Sequence, residues 1–448
     1  ARPRVWWHWM NGNVTKDGIE KDLDWMRRIG IGGLQHFDAN LITPQIVDQR
    51  LVYMTPEWKD AFRFAARKAD EYDLEMAIAA SPGWSETGGP WVSATDGMKK
   101  IVWAQTMVTT GQRLTELPKP PEVAGPFQDM QIEHDFSTTL SGSTFEPPNH
   151  YEDIAVFAIP VSAGVSAGLA PKYALEEGPI PEAEILSDGK YAHALEVPRG
   201  TPEAPTAILV EFASPKAVSS ATLALQNEST PTSGATLTPV LEARQAGSDW
   251  VRIARFDLTG APTTVSFPSV VANKFRVVLI HEGNVLQNTS ISPAPGADFG
   301  FLGDIVAAKP TVKVAELSLS EVPTIDRFEV KAGFDLVPDF YSLDTAVAGE
   351  LEGVDPQKII DLTPLLKPDA SIDWIAPEGQ WRILRMGWSL TGKSNHPATP
   401  EATGLEVDKY DAAAVRRYME HYLNMYVQAA GEELIGKRGV QAVLTDSI

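Results

Sequence analysis

The chain has 448 residues, of which 43% are hydrophobic and 22% charged, a balance typical of globular proteins and not of disordered or fibrous ones. Its formal net charge of −21 repels phosphate backbones and anionic lipid, so we expect neither a nucleic-acid nor a membrane partner. Cysteine is absent, which excludes disulfides and thiolate sites, and no apolar run reaches the ~20 residues of a membrane-spanning helix.

Strand and helix signals alternate through the first hundred residues. Residues 5–9 are a short aromatic and β-branched run, which predicts a strand. Thr15 then offers an N-cap, and apolar residues follow at helical spacing until Gly30, which predicts an amphipathic helix of about four turns. Residues 31–38 predict a second strand.

A second helix signal begins at Thr55, where Thr caps, Pro56 suits the first helical position and Glu57 complements the helix dipole. This helix is expected to run through Tyr72. Residues 74–80 are a near-continuous apolar run, as in a parallel strand that is buried on both faces. Three strands separated by two helices predict parallel pairing with right-handed crossovers.

The pattern changes at the proline-rich residues 117–122, and from about Tyr151 helical periodicity gives way to short strands between Gly, Pro, Ser and Thr. Strands at this spacing indicate a β-sandwich. The candidate strands are residues 154–159, 207–212, 221–225, 236–243, 250–258, 263–267, 274–280 and 312–319.

Barrel-like signals return near the end of the chain. Residues 381–388 predict a strand, Asp411 can cap a long helix, and residues 440–444 predict a buried strand. A central parallel strand needs neighbours on both sides, so we expect the remainder of the same polypeptide to complete the sheet. The predicted fold class is α/β, with a (β/α)8-type barrel, partial in this chain, interrupted by an inserted antiparallel β-sandwich. The expected domains are residues 1–116 (first part of the barrel), 117–330 (jelly-roll-like sandwich) and 331–448 (barrel resumed).

If the parallel strands belong to one barrel, their C-terminal ends converge, and the polar and aromatic groups there meet. Aromatic faces stack on the apolar side of a pyranose, while polar groups bond its hydroxyls, which favours a carbohydrate substrate. Each of these residues also has a structural interpretation, such as core packing for a tryptophan or a solvated loop for an acid. The candidate sugar-binding residues are Trp9, Asn11, His36, Asp38, Trp84, Lys393, Asn395, Glu406 and Asp408.

Asp446 is the candidate catalytic residue. It follows the last predicted strand, and an acid at the carboxyl end of a core strand is where α/β barrels carry their chemistry. Burial alone does not explain a carboxylate at that point, so a functional role is favoured.

Several short motifs, taken in order, resemble glycoside hydrolase family 106, the α-L-rhamnosidases. They are Trp-Trp-His-Trp-Met-Asn-Gly-Asn-Val-Thr at residues 6–15, Gly-Ile-Gly-Gly at 30–33, Ser-Pro-Gly-Trp at 81–84 with Gly-Gly-Pro-Trp at 88–91, Gly-Leu-Glu-Val-Asp at 404–408 and Leu-Thr-Asp-Ser at 444–447. The resemblance implies a (β/α)8-type catalytic domain with an inserted β-sandwich. It also implies hydrolysis of terminal α-L-rhamnose with inversion and with calcium, whose ligands in this chain are unknown.

In that family an active-site aspartate matches Asp446, and the general-acid glutamate follows three positions later, beyond Ile448. The general base lies further downstream. The resemblance therefore implies that this chain is the N-terminal portion of a longer enzyme and lacks both catalytic glutamates. A glycosidic or polymeric substrate suggests a periplasmic or secreted protein.

Two alternatives remain open. A retaining β-glycosidase with a sandwich-plus-barrel layout would hold its two carboxyl groups about 5–5.5 Å apart. A non-catalytic carbohydrate-binding protein would recognise sugar through the sandwich alone. A binding module, however, does not need a barrel whose strand ends carry His36, Trp84 and Asp446.

Overall fold

The computed structural model describes residues 2–131, 142–161, 170–228, 235–245, 247–284, 310–336, 341, 343 and 353–445. Asp446, the candidate catalytic residue, lies outside the described residues. The chain divides into two compact units. The α/β unit comprises Ala1–Lys99, His134–His150 and Leu390–Ile448, and the β unit comprises Lys100–Glu133 and Tyr151–Ser389.

The elements follow in chain order. Among the described residues the α-helices are α1 Lys16–Arg28, α2 Pro56–Glu71, α3 Phe328–Lys331 and α4 Ala412–Ala430. None of these described helices is long and apolar enough to cross a membrane. The strands are β1 Arg4–Met10, β2 Gly33–Ala39, β3 Glu75–Ala79, β4 Lys99–Thr109, β5 Arg113–Glu116, β6 Glu152–Val161, β7 Lys172–Leu175, β8 Gly178–Pro179, β9 Leu195–Pro198, β10 Ala207–Gln226, β11 Ala235–Arg244, β12 Val251–Arg255, β13 Thr263–Asn284, β14 Thr311–Ser320, β15 Ile360–Asp361, β16 Ser371–Ile375, β17 Gln380–Leu390 and β18 Val440–Leu444.

The α/β unit contains one parallel sheet with the strand order β1-β2-β3-β18. Trp7 pairs with His36 and Trp9 with Asp38, so the first two strands end side by side. The predicted parallel pairing of the first three strands is confirmed. A closed barrel stays a prediction.

Three predicted helix starts are confirmed. The Thr15 and Thr55 hydroxyls each accept a hydrogen bond from the amide three residues on, at 3.1 and 3.4 Å. The Asp411 carboxylate accepts from the amides two and three residues on, at 2.9 and 3.1 Å. Each cap satisfies amides that the first helical turn leaves without a partner.

Helix α4 is tied to the end of β3 by two buried tyrosines. The Tyr418 hydroxyl donates to the Ala80 carbonyl at 2.7 Å, and the Tyr422 hydroxyl donates to the Ala79 carbonyl at 2.8 Å. Both rings lie in the core that also contains α1 and α2. These contacts hold the strand end that leads to the Ser-Pro-Gly-Trp motif.

The β unit contains a sheet with the order β12-β11-β13-β10-β14-β9, to which β7 and β8 are joined through β10. Residues 207–212 and 221–225, predicted as separate strands, belong to the single strand β10, and residues 263–267 and 274–280 likewise belong to β13. Where β10 pairs with β13, the register shifts between Glu211 and Lys216 and between Val218 and Ser220. Such irregularities bend strands, and the interrupted hydrophobic pattern there explains why the sequence suggested separate strands.

Residues 381–388 form a strand as predicted, but the prediction that this strand belongs to the barrel is wrong. It forms part of β17, which pairs antiparallel with β6 and also neighbours β4 in the β unit. Trp381 and Ile383 are buried while Arg382 between them is exposed, the alternation typical of an antiparallel strand with one solvated face. The α/β unit is therefore interrupted by two segments of the β unit, Lys100–Glu133 and Tyr151–Ser389, whereas the sequence predicted one insertion over residues 117–330.

Two buried acids of the β unit, Glu316 and Glu329, have raised pKa values. Burial raises the pKa of Glu316 to about 7, although a hydrogen bond from Ser318 favours its charged form. Burial likewise raises the pKa of Glu329 to about 7, against hydrogen bonds from the Thr264 hydroxyl and amide at 2.5 and 3.1 Å. An acid whose pKa is higher in the folded than in the unfolded protein stabilises the fold below its unfolded pKa and loses that contribution as pH rises through the folded value.

We predict that Glu316→Gln stabilises the protein at pH 8, by about 2 kcal/mol, and changes little at pH 5. Glutamine has no charge to bury, whereas Glu316 must ionise as pH passes about 7. Urea unfolding at pH 5, 6, 7 and 8 measures the difference in unfolding free energy between variant and parent. The exposed Glu203→Gln is the control. A difference that does not change with pH would contradict the prediction.

Candidate functional site

The two faces of the parallel sheet carry different side chains at the strand ends, because successive side chains of a strand alternate. On one face, the Trp9 ring lies 5.6 Å from Trp58 of α2. On the other, the His8 ring of β1 stacks on Phe37 of β2, with centroids 4.9 Å apart and planes 16° apart. The Trp84 ring, from the loop after β3, meets His8 edge-on at 6.1 Å.

Trp9 and His36 belong to the core between sheet and helices. Trp9 is 1% exposed and His36 is 0% exposed, and their rings meet edge-on at 4.6 Å. Burial lowers the pKa of His36 to about 3, and neither ring nitrogen has a hydrogen-bond partner in the described part of the chain. This placement corrects the expectation that both side chains line one cavity with Trp84.

Asp38 faces the same core. Trp58 Nε1–H donates to its Oδ2 at 2.8 Å, while its Oδ1 has no partner among the residues the structure describes. Burial raises the pKa of Asp38 to about 7, despite the hydrogen bond from Trp58. The Asp38 side chain therefore lies on the face of the sheet opposite His8, where it bonds Trp58 of α2.

His8 is linked directly to Trp84. Trp84 Nε1–H donates to His8 Nε2 at 3.1 Å. His8 is half-buried, and burial lowers its pKa, which favours the neutral ring. His8 lies within the motif at residues 6–15 but was not among the predicted sugar-binding residues. The available signal was the strand alternation, which puts His8 on the opposite face from Trp7 and Trp9.

Asn395 joins the loops at the strand ends. Its Nδ2 donates to the Pro82 and Ala402 carbonyls, both at 3.0 Å, and its Oδ1 accepts from the Gly404 amide at 2.9 Å. The side chain is 0% exposed. These contacts engage both amide hydrogens and the carbonyl oxygen, which corrects the expectation that Asn395 bonds a sugar. Lys393, two residues earlier, is exposed.

The glycine motifs allow the same loops to approach closely. Gly83 has φ +82, and a Cβ there would lie 2.6 Å from the carbonyl carbon of His396. A Cβ on Gly404 would lie 2.2 Å from the carbonyl carbon of Gly89. At these positions a side chain would meet backbone, so the motifs are explained by packing between loops.

Glu406 and Asp408 are paired with lysines. Glu406 forms an ion pair with Lys409, and Lys99 Nζ lies 2.9 Å from Asp408 Oδ2. Asp408 also accepts from the Tyr410 amide at 3.0 Å. A contact of either acid with substrate stays a prediction.

Asn11 and Asn13 hold the loop that follows β2. Asn11 Nδ2 donates to the Thr43 carbonyl at 2.7 Å. Asn13 Nδ2 donates to the Pro44 carbonyl at 2.9 Å, and its Oδ1 accepts from the Ile46 amide at 2.8 Å. Asn11 thus uses its amide nitrogen within the protein, and its predicted contact with sugar stays a prediction.

The loop that these asparagines hold is strained. Leu41 and Ile42 have φ values of +50 and +54, a region that L-residues rarely adopt and that is most costly for a β-branched side chain. Such backbone persists only where surrounding contacts impose it, and it is common beside functional sites. Asn11 and Asn13 supply those contacts here.

We predict that Asn13→Ala accelerates amide hydrogen exchange of residues 41–46 about tenfold, because two hydrogen bonds to the strained loop are lost. Hydrogen-exchange mass spectrometry of variant and parent measures the effect. Asn424→Ala, at an exposed position of α4, is the control and should leave this segment unchanged. Equal exchange of the segment in Asn13→Ala and parent would contradict the proposed restraint.

Among the described residues, no three His, Asp or Glu side chains are grouped so that they could hold a metal ion. Asp38, Glu406 and Asp408 are instead bonded to Trp58, Lys409 and Lys99, respectively. They do not fit a calcium site built mainly from carboxylates.

Comparison with known proteins gives three findings. A family model for alpha-L-rhamnosidase, glycoside hydrolase family 106, matches residues 1–448. The solved structure of a rhamnosidase from Novosphingobium sp. PP1Y is 44% identical with a TM-score of 0.81, and the match covers 100% of this chain and 38% of that one. A curated protein of Formosa agariphila, named a putative beta-glucuronidase, is 37% identical over 162 residues, or 36% of this chain and 12% of the relative. The chain thus spans well under half of the length of either protein.

Proposed function

Since this chain belongs to the α-L-rhamnosidases of glycoside hydrolase family 106, we propose that the full-length protein is an inverting exo-α-L-rhamnosidase. It would release terminal L-rhamnose from glycosides or polysaccharide side chains. The family match over residues 1–448 is the observation that carries the proposal. The rhamnosidase structure, 44% identical over the whole of this chain, supports it.

The face of the parallel sheet that carries His8 and Phe37 suits a neutral sugar. His8, Phe37 and Trp84 combine aromatic surface with ring nitrogens, and such surfaces take the apolar face of a pyranose while polar groups bond its hydroxyls. The net charge of −21 is compatible with a neutral substrate and unfavourable for an anionic one. Trp84 is the predicted sugar contact that this arrangement favours most.

Inversion needs two carboxyl groups roughly 6.5–9.5 Å apart, so that water fits between the base and the anomeric carbon. Family resemblance assigns Asp446 to the active site and the general acid to a position beyond Ile448. Strand β18, which precedes Asp446, pairs with β3, and the Ala80 amide donates to the Leu444 carbonyl at 2.8 Å. This pairing supports the proposal, because β3 leads to the loop that carries Trp84.

Three further features are also proposed. The parallel sheet would close into a (β/α)8-type barrel with strands from the remainder of the same polypeptide. The protein would be periplasmic or secreted, where glycosidic substrates are met. Calcium would assist, but since the described acids do not form a ligand set, we derive no catalytic step through it.

The full-length protein should hydrolyse an aryl α-L-rhamnoside and release β-L-rhamnose first, because inversion at an α-linked anomeric carbon gives the β anomer. Proton NMR during the first minutes follows the anomer. Initial release of the α anomer would support retention and contradict the mechanism. Cleavage of an aryl β-glucuronide in preference to the rhamnoside would contradict the substrate.

We predict that Asp446→Ala in the full-length protein lowers kcat for the aryl rhamnoside by about 10²–10⁴-fold, the range for a group that acts in proton transfer or orients one that does. Asp17→Ala, an exposed acid of α1, is the matched control. Circular dichroism and the unfolding midpoint check that each variant folds. Cleavage at the parental rate by Asp446→Ala would refute the role of this residue.

A further inference from the structure

We propose that His8 contacts the sugar directly and that Trp84 positions the His8 ring. The indole N–H of Trp84 donates to His8 Nε2, so that His8 presents Nδ1–H to a sugar hydroxyl. Rhamnose as the sugar rests on the proposed function. The orientation of His8 by Trp84 rests on the contacts of the described residues alone.

The donor and acceptor in this pair follow from chemistry. The two nitrogens are 3.1 Å apart, which is hydrogen-bond distance. An indole nitrogen can only donate, so His8 Nε2 must accept and cannot carry a proton. A neutral imidazole has one proton, which is therefore on Nδ1.

The ring of His8 is held on three sides. Phe37, 0% exposed, stacks beneath it at 4.9 Å. Trp6 meets it edge-on at 5.9 Å and Trp84 at 6.1 Å. A ring packed in this way loses little further freedom when it bonds a ligand, which is the property of a preorganised binding group.

One nitrogen of His8 is left for a ligand. In the part of the chain that the structure describes, the hydrogen bond from Trp84 is the one recorded for this ring, and His8 is half-buried. His36, the other histidine of the sheet, is by contrast completely buried on the opposite face. Burial lowers the pKa of His8, which keeps the ring in the neutral form that can accept from Trp84.

The neighbourhood of His8 matches what a sugar requires. Strands β1 and β2 and the loop after β3 each contribute one ring to the group formed by His8, Phe37 and Trp84. A pyranose binds through aromatic surface together with a small number of well-placed polar groups. The Nδ1–H of His8 is such a group, on a ring that the Trp84 indole contacts through Nε2.

The test compares hydroxyl recognition in the full-length protein with and without this donor. Aryl α-L-rhamnosides that lack the 2-, 3- or 4-hydroxyl are assayed beside the parent substrate. For unmodified protein, one deoxy substrate should lose about five- to tenfold in kcat/KM relative to the parent substrate, the effect of one neutral hydrogen bond. In His8→Leu that difference should disappear, and in His8→Gln, which keeps an N–H donor, it should be partly restored.

Trp84→Phe keeps the aromatic ring and removes the N–H. If Trp84 acts through His8, this variant should show a smaller deoxy difference than unmodified protein. The double variant His8→Leu/Trp84→Phe should then show the same deoxy difference as His8→Leu alone. The tautomer gives a second readout: selective ¹⁵N-histidine NMR should show His8 protonated on Nδ1 in the unmodified protein and as a tautomer mixture in Trp84→Phe. Trp25→Phe, at an exposed position of α1, is the control for loss of an indole.

The outcomes separate the two proposals. If unmodified protein hydrolyses the rhamnoside but His8→Leu loses the same factor on every substrate, the sugar contact is overturned and the proposed function stands. A ring of His8 protonated on Nε2 in the unmodified protein would overturn the role of Trp84. If the unmodified protein releases no rhamnose, the proposed function fails and the sugar contact fails with it.

Discussion

The parallel register of β1 and β2 determines which side chains can meet at the strand ends. Trp7 pairs with His36 and His8 with Phe37, so each face of the sheet receives matching positions from both strands. A shift of one residue would exchange the faces, because side chains alternate. With the register as it stands, one histidine is enclosed in the helix-facing core, and the other stacks on Phe37 on the opposite face, beside Trp84.

This register would not position Trp84 by itself, because Trp84 comes from a loop. Asn395 bonds the Pro82 carbonyl, and the Trp84 amide donates to the His396 carbonyl at 2.7 Å. The Gly83 amide donates to the Asp38 carbonyl at 2.7 Å, which ties the same loop to the end of β2. Buried backbone contacts of this kind are costly to break, so the indole of Trp84 is held at the ring of His8 by the surrounding loops.

Local chemistry was readable from the sequence. Thr15, Thr55 and Asp411 predicted helix starts correctly, because a cap depends on a side chain and amides two or three residues away. The parallel order of the first strands followed from the alternation of elements. The resemblance in the short motifs predicted the family, and the match to residues 1–448 confirms it.

Non-local features were not readable in the same way. Nearly all of β2 is buried, so its sequence does not reveal which face His36 takes. The pattern of β17 identified a strand but not its sheet, since pairing partners lie far apart in the chain. Asn395 resembled a ligand because polar residues at strand ends often are, yet its partners are carbonyls of two other loop segments.

The most direct test of the arrangement around His8 is a crystal structure of the full-length protein with bound L-rhamnose. The expected result is a pyranose ring against Trp84, with one hydroxyl about 3 Å from His8 Nδ1. A sugar bound at the catalytic centre with no contact to either side chain would contradict the claim that this face of the parallel sheet recognises the substrate.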